Sequence, residues 1–68
     1  MEKLTEKVLD NIRKKRKEKG VSVLNLAEDV GISRSHLYYI ESKKVVPSID
    51  VVVKIAKVLK VNVKEFFD

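Results

Sequence analysis

The chain has no cysteine, a single proline and only two glycines in 68 residues. Without cysteine it forms neither a disulfide framework nor a thiolate zinc site, which argues against a disulfide-stabilised secreted protein. It also lacks the run of about 20 apolar residues that spans a membrane, and the apolar stretch of a signal peptide. The scarcity of proline and glycine leaves no flexible linker. We therefore expect one domain, residues 1–68, that stays in the cytoplasm and does not enter a membrane.

Groups that organise an active site are equally scarce. His36 is the only histidine, and the sequence contains no glycine-rich phosphate loop and no pair of carboxylates facing a plausible pocket. Because zinc usually needs three or four protein ligands, a metal role for His36 is disfavoured, and hydrogen bonding to a phosphate or a neighbouring helix is favoured instead. The sequence thus predicts neither an enzyme nor a cofactor, and no small-molecule ligand is evident.

Positive charge is what the chain has in excess. Fifteen Lys and Arg against ten Asp and Glu give a net charge of +5, and residues 11–20 alone carry six basic groups and one acidic group. Arg34, Lys43 and Lys44 add smaller contributions. A basic cluster attracts phosphate backbones through counterion release. A solvated helix face has the same composition, so this feature alone leaves both interpretations open.

Polar residues that precede apolar runs predict where helices begin. Ser22, Ser33 and Asn62 each follow an apolar residue and precede another one four positions later, which is the hydrophobic staple of a helix N-terminus. Ser48 after Pro47 adds a further start. Together with a longer first helix that contains Val8 and Ile12, these starts predict an all-α fold of five helices around one core.

The fourth segment could form a helix or a β-strand, because the three consecutive valines at 51–53 also suit a strand. The apolar period of 3.6 residues continues beyond them, and no alternating segment is present to pair with, so we expect a helix. The apolar residues that mark this helix are Ile49, Val52, Val53, Ala56 and Leu59.

A sharp joint is predicted between the second and third helices. Ala27 is small where a second helix must approach closely, and Gly31 can take the positive φ that ends a helix abruptly. Ile32, Leu37 and Ile40 then supply apolar side chains to fill the space between the two helices. This spacing is the sequence form of a helix-turn-helix.

From Ile12 onward the chain resembles the Xre or Cro/repressor type of helix-turn-helix protein. The resemblance runs through the segments IRKKRKEKGVS, LAEDVGISRSHLYYIE, PSIDVVVKIAKVL and VNVKEFF, which together extend over about 57 of the 68 residues. It implies a five-helix lambda repressor-like DNA-binding domain with its helix-turn-helix motif at about 23–42. It also implies a sequence-specific transcriptional regulator, in the first instance a dimeric repressor of an inverted-repeat operator on double-stranded DNA.

The third helix has the pattern of a DNA-reading helix. At 100° per residue, Leu37 and Ile40 point inward and Ser35 lies at the centre of the opposite face. The resemblance implies that this helix enters the major groove, where an arginine can donate two hydrogen bonds to guanine O6 and N7. Packing or a dimer contact is the alternative for the two adjacent tyrosines. The expected base-reading residues are Arg34, Ser35, Tyr38 and Tyr39.

Backbone contacts and a structural ion pair also follow from the resemblance. It implies that Arg16 and Glu41 tie the third helix to the first, the alternative being two independent exposed charges. Val23 stands where many relatives have a phosphate-contacting glutamine, and Ser42-Lys43 replaces an Asn-Gly pair, so a residue other than glycine has to form the turn. The expected phosphate contacts are Ser22, Val23, Arg16, Ser33, Lys43 and Lys44.

The C-terminal segment carries more apolar residues than a short helix needs to bury. In the family that the chain resembles, the terminal helix commonly builds a homodimer, and a domain of this size buries little surface alone. The alternative is that both phenylalanines close the monomer core. The expected dimer interface is Val61, Val63, Phe66 and Phe67.

One function of a different class is kept beside DNA binding. A protein-interaction or antitoxin-like module uses the same fold to cap another protein. Such a module is expected to have an extended tail or a second apolar patch, and the sequence shows no tail.

Overall fold

Four α-helices and one 3-10 helix make up the fold, with no β-strand, in a computed structural model that describes all 68 residues. The helices are α1 (Lys3–Glu18), α2 (Val23–Val30), α3 (Arg34–Glu41), α4 (Ile49–Leu59) and the C-terminal 3-10 helix (Val63–Phe67). The predicted all-α class is confirmed. The fifth predicted helix differs in type, because so short a segment is closed by bonds between residues three apart, such as Glu65 N–H to the Asn62 carbonyl at 2.9 Å.

The predicted helix starts are confirmed by their caps. The hydroxyl oxygens of Ser22, Ser33 and Ser48 each accept a hydrogen bond from the backbone N–H three residues later, at 3.0, 3.0 and 3.2 Å. Asn62 caps the 3-10 helix, and the Glu65 carboxylate accepts from the Asn62 N–H at 3.1 Å to complete a capping box. Hydrogen bonds between residues close together in the sequence therefore fix where each helix after α1 begins.

The core is one cluster of thirteen buried apolar side chains to which every helix contributes. These are Val8, Leu9, Ile12, Leu26, Ala27, Val30, Leu37, Ile40, Val52, Ile55, Ala56, Leu59 and Phe66. The C-terminal 3-10 helix packs against α1, and Asn11 Nδ2 donates to the carbonyls of Phe66 and Asp68 at 2.9 and 3.1 Å. The chain's last turn is thereby held on the first helix and covers the core.

One expectation about an exposed residue is wrong. Phe66, expected at a dimer surface, has no exposed surface because it points into the core between α1 and α4. Ile49 fits the apolar period of α4, yet it is 70% exposed because it is the first residue of α4, at the end of the helix. Val61 and Val63 are half-buried against the core, and Phe67 remains 42% exposed.

Lys15 joins α1 to the C-terminal segment through two carboxylates. Its Nζ lies 3.3 Å from Glu18 and 3.6 Å from Glu65. The hydrogen bond and the charge of Glu18 raise the pKa of Lys15 above its ordinary value of 10.5. A raised lysine pKa stabilises the fold below pH 10.5 and stops doing so only above the raised pKa, so these contacts persist at neutral pH.

Candidate nucleic-acid interface

The turn between α2 and α3 consists of three residues, Gly31, Ile32 and Ser33. Gly31 adopts φ +88°, and the N–H groups of Gly31 and Ile32 both donate to the Ala27 carbonyl, at 2.9 and 3.0 Å. A Cβ added at Gly31 meets no atom within 4 Å, so the backbone angle alone requires glycine. Ala27 is buried on α2, which packs against both α3 and α4.

The two faces of α3 have opposite environments. Leu37 and Ile40 have no exposed surface, whereas Tyr38 and Tyr39 are 58% and 46% exposed. The tyrosine rings meet edge to face, with centroids 6.0 Å apart and an interplanar angle of 61°. The core side of α3 is therefore fixed, and the outer side presents ordered aromatic and polar groups to solvent.

All four expected base-reading residues line one open depression, which we call the α3 groove. Arg34, Ser35, Tyr38 and Tyr39 form it together with Val23 from the first turn of α2, and it encloses about 400 Å³. Arg34 makes no ion pair and no side-chain hydrogen bond within the chain. Its guanidinium is thus free to contact a ligand.

The Arg16–Glu41 pair that the resemblance implies is present and buried. Arg16 Nε donates to Glu41 Oε2 at 2.7 Å and Nη2 donates to Oε1 at 2.9 Å, while Nη1 donates to the Val21 carbonyl at 2.8 Å. Each of the two charged residues is only 8% exposed. This bidentate contact fixes the end of α3 relative to α1 and to the turn before α2.

The turn after α3 contains a contact that sequence reasoning missed. Lys43 takes φ +65°, so a non-glycine residue does form this turn, and its Nζ lies 3.0 Å from Asp10 on α1. Thirty-three positions separate the two residues, and no local pattern links them. Lys44, also exposed, has no ion-pair partner.

The start of α2 offers hydrogen-bond donors. The N–H groups of Val23 and Leu24 have no acceptor within the chain, as is usual in a first helical turn. Ser22 and Ser33, the caps of α2 and α3, are both exposed, and each hydroxyl keeps its own hydrogen for donation. Such groups suit an anion placed beside the α3 groove.

Comparison with known proteins agrees with this geometry. A family model described as helix-turn-helix matches residues 12–66. The chain belongs to this family, the Xre or lambda repressor-like helix-turn-helix proteins.

Solved helix-turn-helix structures resemble the domain along most of its length. The restriction-modification controller protein C.AhdI from Aeromonas hydrophila is 30% identical, with a TM-score of 0.85 over 94% of this chain and 96% of its own. SinR, the master regulator for biofilm formation, solved in complex with DNA, is 39% identical, with a TM-score of 0.81 over 90% of this chain and 98% of its own. A SinR–SinI complex gives 39% identity and a TM-score of 0.80, with 90% of this chain and 60% of that one covered. No curated protein sequence matches the chain.

A second depression on the helix-turn-helix domain is apolar, and we call it the apolar groove. Exposed Leu4, Val46, Ile49 and Phe67 line it, with Pro47 and parts of the core beneath, and it encloses about 230 Å³. Of the residues expected at a dimer interface, only Phe67 lies here. The other three exposed residues come from the start of α1, the α3–α4 loop and the start of α4, and no periodicity connects these segments.

The domain contains no group of three or more His, Cys, Asp or Glu side chains arranged to hold a metal ion. None of its helices combines the length and the apolar composition needed to cross a membrane.

Proposed function

We propose that this helix-turn-helix protein is a cytoplasmic transcriptional repressor that binds an inverted-repeat operator as a homodimer, with α3 in the major groove. The observation that carries the proposal is the α3 groove, in which Arg34, Ser35, Tyr38 and Tyr39 converge on one open face of a helix whose other face is buried. The net charge of +5 favours a polyanionic partner.

Each residue of the α3 groove has a distinct proposed role. Arg34, at the start of α3 and without an internal partner, donates two hydrogen bonds to O6 and N7 of a guanine. Ser35 donates to or accepts from a base edge. The rings of Tyr38 and Tyr39 pack on thymine methyl groups, which lie in the same groove.

A second set of residues holds the DNA backbone and sets the register of α3 without reading sequence. The unpaired N–H of Val23 and the hydroxyls of the two helix caps donate to phosphate oxygens. The positively charged side chains of the set contact further phosphates of the two DNA strands. This set is Ser22, Val23, Arg16, Ser33, Lys43 and Lys44.

The proposed dimer forms through the apolar groove. Its four exposed side chains are 42–70% accessible in the isolated chain, and an isologous contact buries them in pairs. Val46 and Pro47 lie in the loop that follows α3, and in the proposed dimer both α3 helices face the same DNA. Two domains of 27 × 23 × 20 Å are wide enough to hold these helices about 34 Å apart, one turn of DNA.

Ile49→Glu is expected to convert the dimer into a folded monomer, because it puts a charge on the most exposed residue of the apolar groove and leaves the core intact. Sedimentation equilibrium measures the change from twice 7.8 kDa to 7.8 kDa. The matched control is Leu24→Glu, the same kind of substitution at another exposed apolar residue outside this groove. An unchanged mass for Ile49→Glu places the dimer contact elsewhere.

Selection from a pool of random-sequence duplexes tests the function as a whole. The wild-type protein is expected to enrich inverted repeats whose half-sites are about 10 base pairs apart from centre to centre. It is expected to bind them at least about a hundredfold more tightly than random DNA of equal length at about 150 mM salt. Failure to enrich any sequence rejects the operator-binding function.

A further inference from the structure

An exposed ion pair joins the turn after α3 to the middle of α1. The Nζ of Lys43 lies 3.0 Å from Oδ1 and 3.1 Å from Oδ2 of Asp10, so the ammonium group contacts both carboxylate oxygens. The two side chains are 37% and 62% exposed, so solvent and ions reach the pair. Lys43 is also one of the residues proposed above to contact a DNA phosphate, and in the free protein its charge is already matched by a carboxylate.

A carboxylate and a phosphate are similar ligands for this ammonium group. A lysine ammonium has three N–H donors and no acceptor, and it bonds the oxygens of either anion. A phosphate that approaches Lys43 therefore either displaces Asp10 or comes to lie beside a second negative charge. Both arrangements cost free energy, because the first breaks the ion pair and the second brings two anions together.

The other positively charged residues of the proposed backbone set are not opposed in this way. Lys44 has no ion-pair partner within the chain. Arg16 is bonded to Glu41, but that pair is buried and fixes the position of α3. Lys43 is thus the residue of this set whose exposed internal partner a phosphate has to replace.

The turn itself does not depend on the ion pair. The N–H groups of three consecutive residues, 42–44, donate to carbonyl oxygens in the second half of α3 at 2.9, 3.1 and 2.8 Å. These main-chain bonds hold the left-handed backbone of Lys43, whose φ is +65°. Loss of the contact with Asp10 therefore frees the lysine side chain and leaves the turn in place.

Asp10 has other cations within reach once Lys43 leaves it. Arg13 and Lys14 follow it by three and four residues on α1, the spacings at which opposite charges meet on a helix, and all three residues line one shallow depression. Neither of these cations forms an ion pair in the free chain. Transfer of Lys43 from the carboxylate to a phosphate therefore does not leave Asp10 without a cationic neighbour.

We propose that Asp10 competes with the DNA phosphate for Lys43 and so lowers the affinity of the protein for DNA of any sequence. The inference rests on the proposed function, in which Lys43 contacts the DNA backbone, and adds to it an opposing residue outside the helix-turn-helix motif. Because a backbone contact carries no sequence information, Asp10 sets how tightly the protein binds and leaves its choice of sequence unchanged.

Asp10→Asn tests the proposal, because it keeps the size of the side chain and removes the charge that holds Lys43. Affinity for a random duplex is expected to rise roughly 1.4- to 5-fold per bound chain, the range that corresponds to an exposed ion pair. Affinity for an operator from the selection experiment is expected to rise by the same factor. The urea midpoint of the free protein is not expected to rise, so the gain in affinity does not come from a more stable fold.

Asp50→Asn is the matched control. It makes the same change of charge and breaks another exposed ion pair, with Lys54 at 3.4 Å, whose lysine is not in the proposed backbone set. The second test repeats Asp10→Asn in a Lys43→Met background. There it is expected to have no effect on affinity, because no ammonium group is left for the carboxylate to hold.

An affinity for random DNA that rises no more in Asp10→Asn than in Asp50→Asn overturns the proposal. A rise that persists in the Lys43→Met background also overturns it, since Asp10 then acts by general repulsion of DNA. The random-duplex arm needs no operator, so a protein that binds DNA without sequence preference rejects the repressor function while the competition for Lys43 is still measured. Operator binding that Asp10→Asn leaves unchanged rejects the competition and retains the repressor function.

Discussion

Arg34→Ala is expected to remove most of the protein's preference for its operator while leaving its general affinity for DNA. A bidentate arginine–guanine contact contributes about 1–3 kcal/mol of discrimination, so two copies in a dimer contribute about 2–6 kcal/mol. Even the lower value is roughly a thirtyfold change in affinity. Competition of labelled operator against random duplex at fixed salt measures it.

Arg34→Ala is expected to change DNA binding without changing the folded protein. Arg34 has no hydrogen-bond or ion-pair partner within the chain, and it is exposed, so its truncation leaves the core and the Ser33 cap unchanged. Lys44→Ala, which removes one exposed charge of the proposed backbone set, is the matched control and is expected to weaken operator and random DNA equally. An operator preference that survives Arg34→Ala shows that Arg34 is not a base-reading residue.

Glu41→Ala is expected to produce the largest loss of stability, about 3–5 kcal/mol, because it leaves the Arg16 guanidinium charged and unpaired at a site only 8% exposed. A domain of this length has roughly 3–10 kcal/mol of stability in all. Urea denaturation followed by circular dichroism at 222 nm is expected to show a markedly lower midpoint.

Two further variants test whether the loss of stability comes from burial of the Arg16–Glu41 pair and not from the loss of any ion pair. Asp10→Ala breaks the Lys43 contact, whose side chains are 37% and 62% exposed, and is expected to change stability by less than about 1 kcal/mol. The double substitution Arg16→Met with Glu41→Leu removes both buried charges and is expected to recover most of the stability lost in Glu41→Ala. An unaltered midpoint for Glu41→Ala shows that the pair contributes nothing to folding.

The helix boundaries are the part of the fold that sequence reasoning predicted best. Ser22, Ser33 and Ser48 cap helices through N–H groups three residues away, and Gly31 ends α2 through its own backbone angle. These interactions involve chemistry within a few consecutive residues, so the sequence contains all the information they need. The last predicted helix forms as a 3-10 helix, in which the Glu65 N–H donates to the carbonyl of Asn62, three residues earlier.

Side-chain exposure near the ends of elements was predicted less well. Phe66 and Phe67 are adjacent and chemically identical, yet one has no exposed surface and the other is 42% exposed. Ile49 fits the apolar period of α4 but lies at the end of the helix, beyond the core. Periodicity gives the direction of a side chain around a helix axis, and it does not say whether another element covers that position.

The sequence by itself determined the all-α class, the helix starts, the sharp turn at Gly31 and the set of polar residues on α3, because each depends on neighbours along the chain. Only the tertiary structure decided which distant residues come together: Lys43 pairs with Asp10, and Phe67 lines the same groove as Leu4 at the start of α1. Those contacts follow from how the helices pack, which depends on the shape of the whole core and on no single segment.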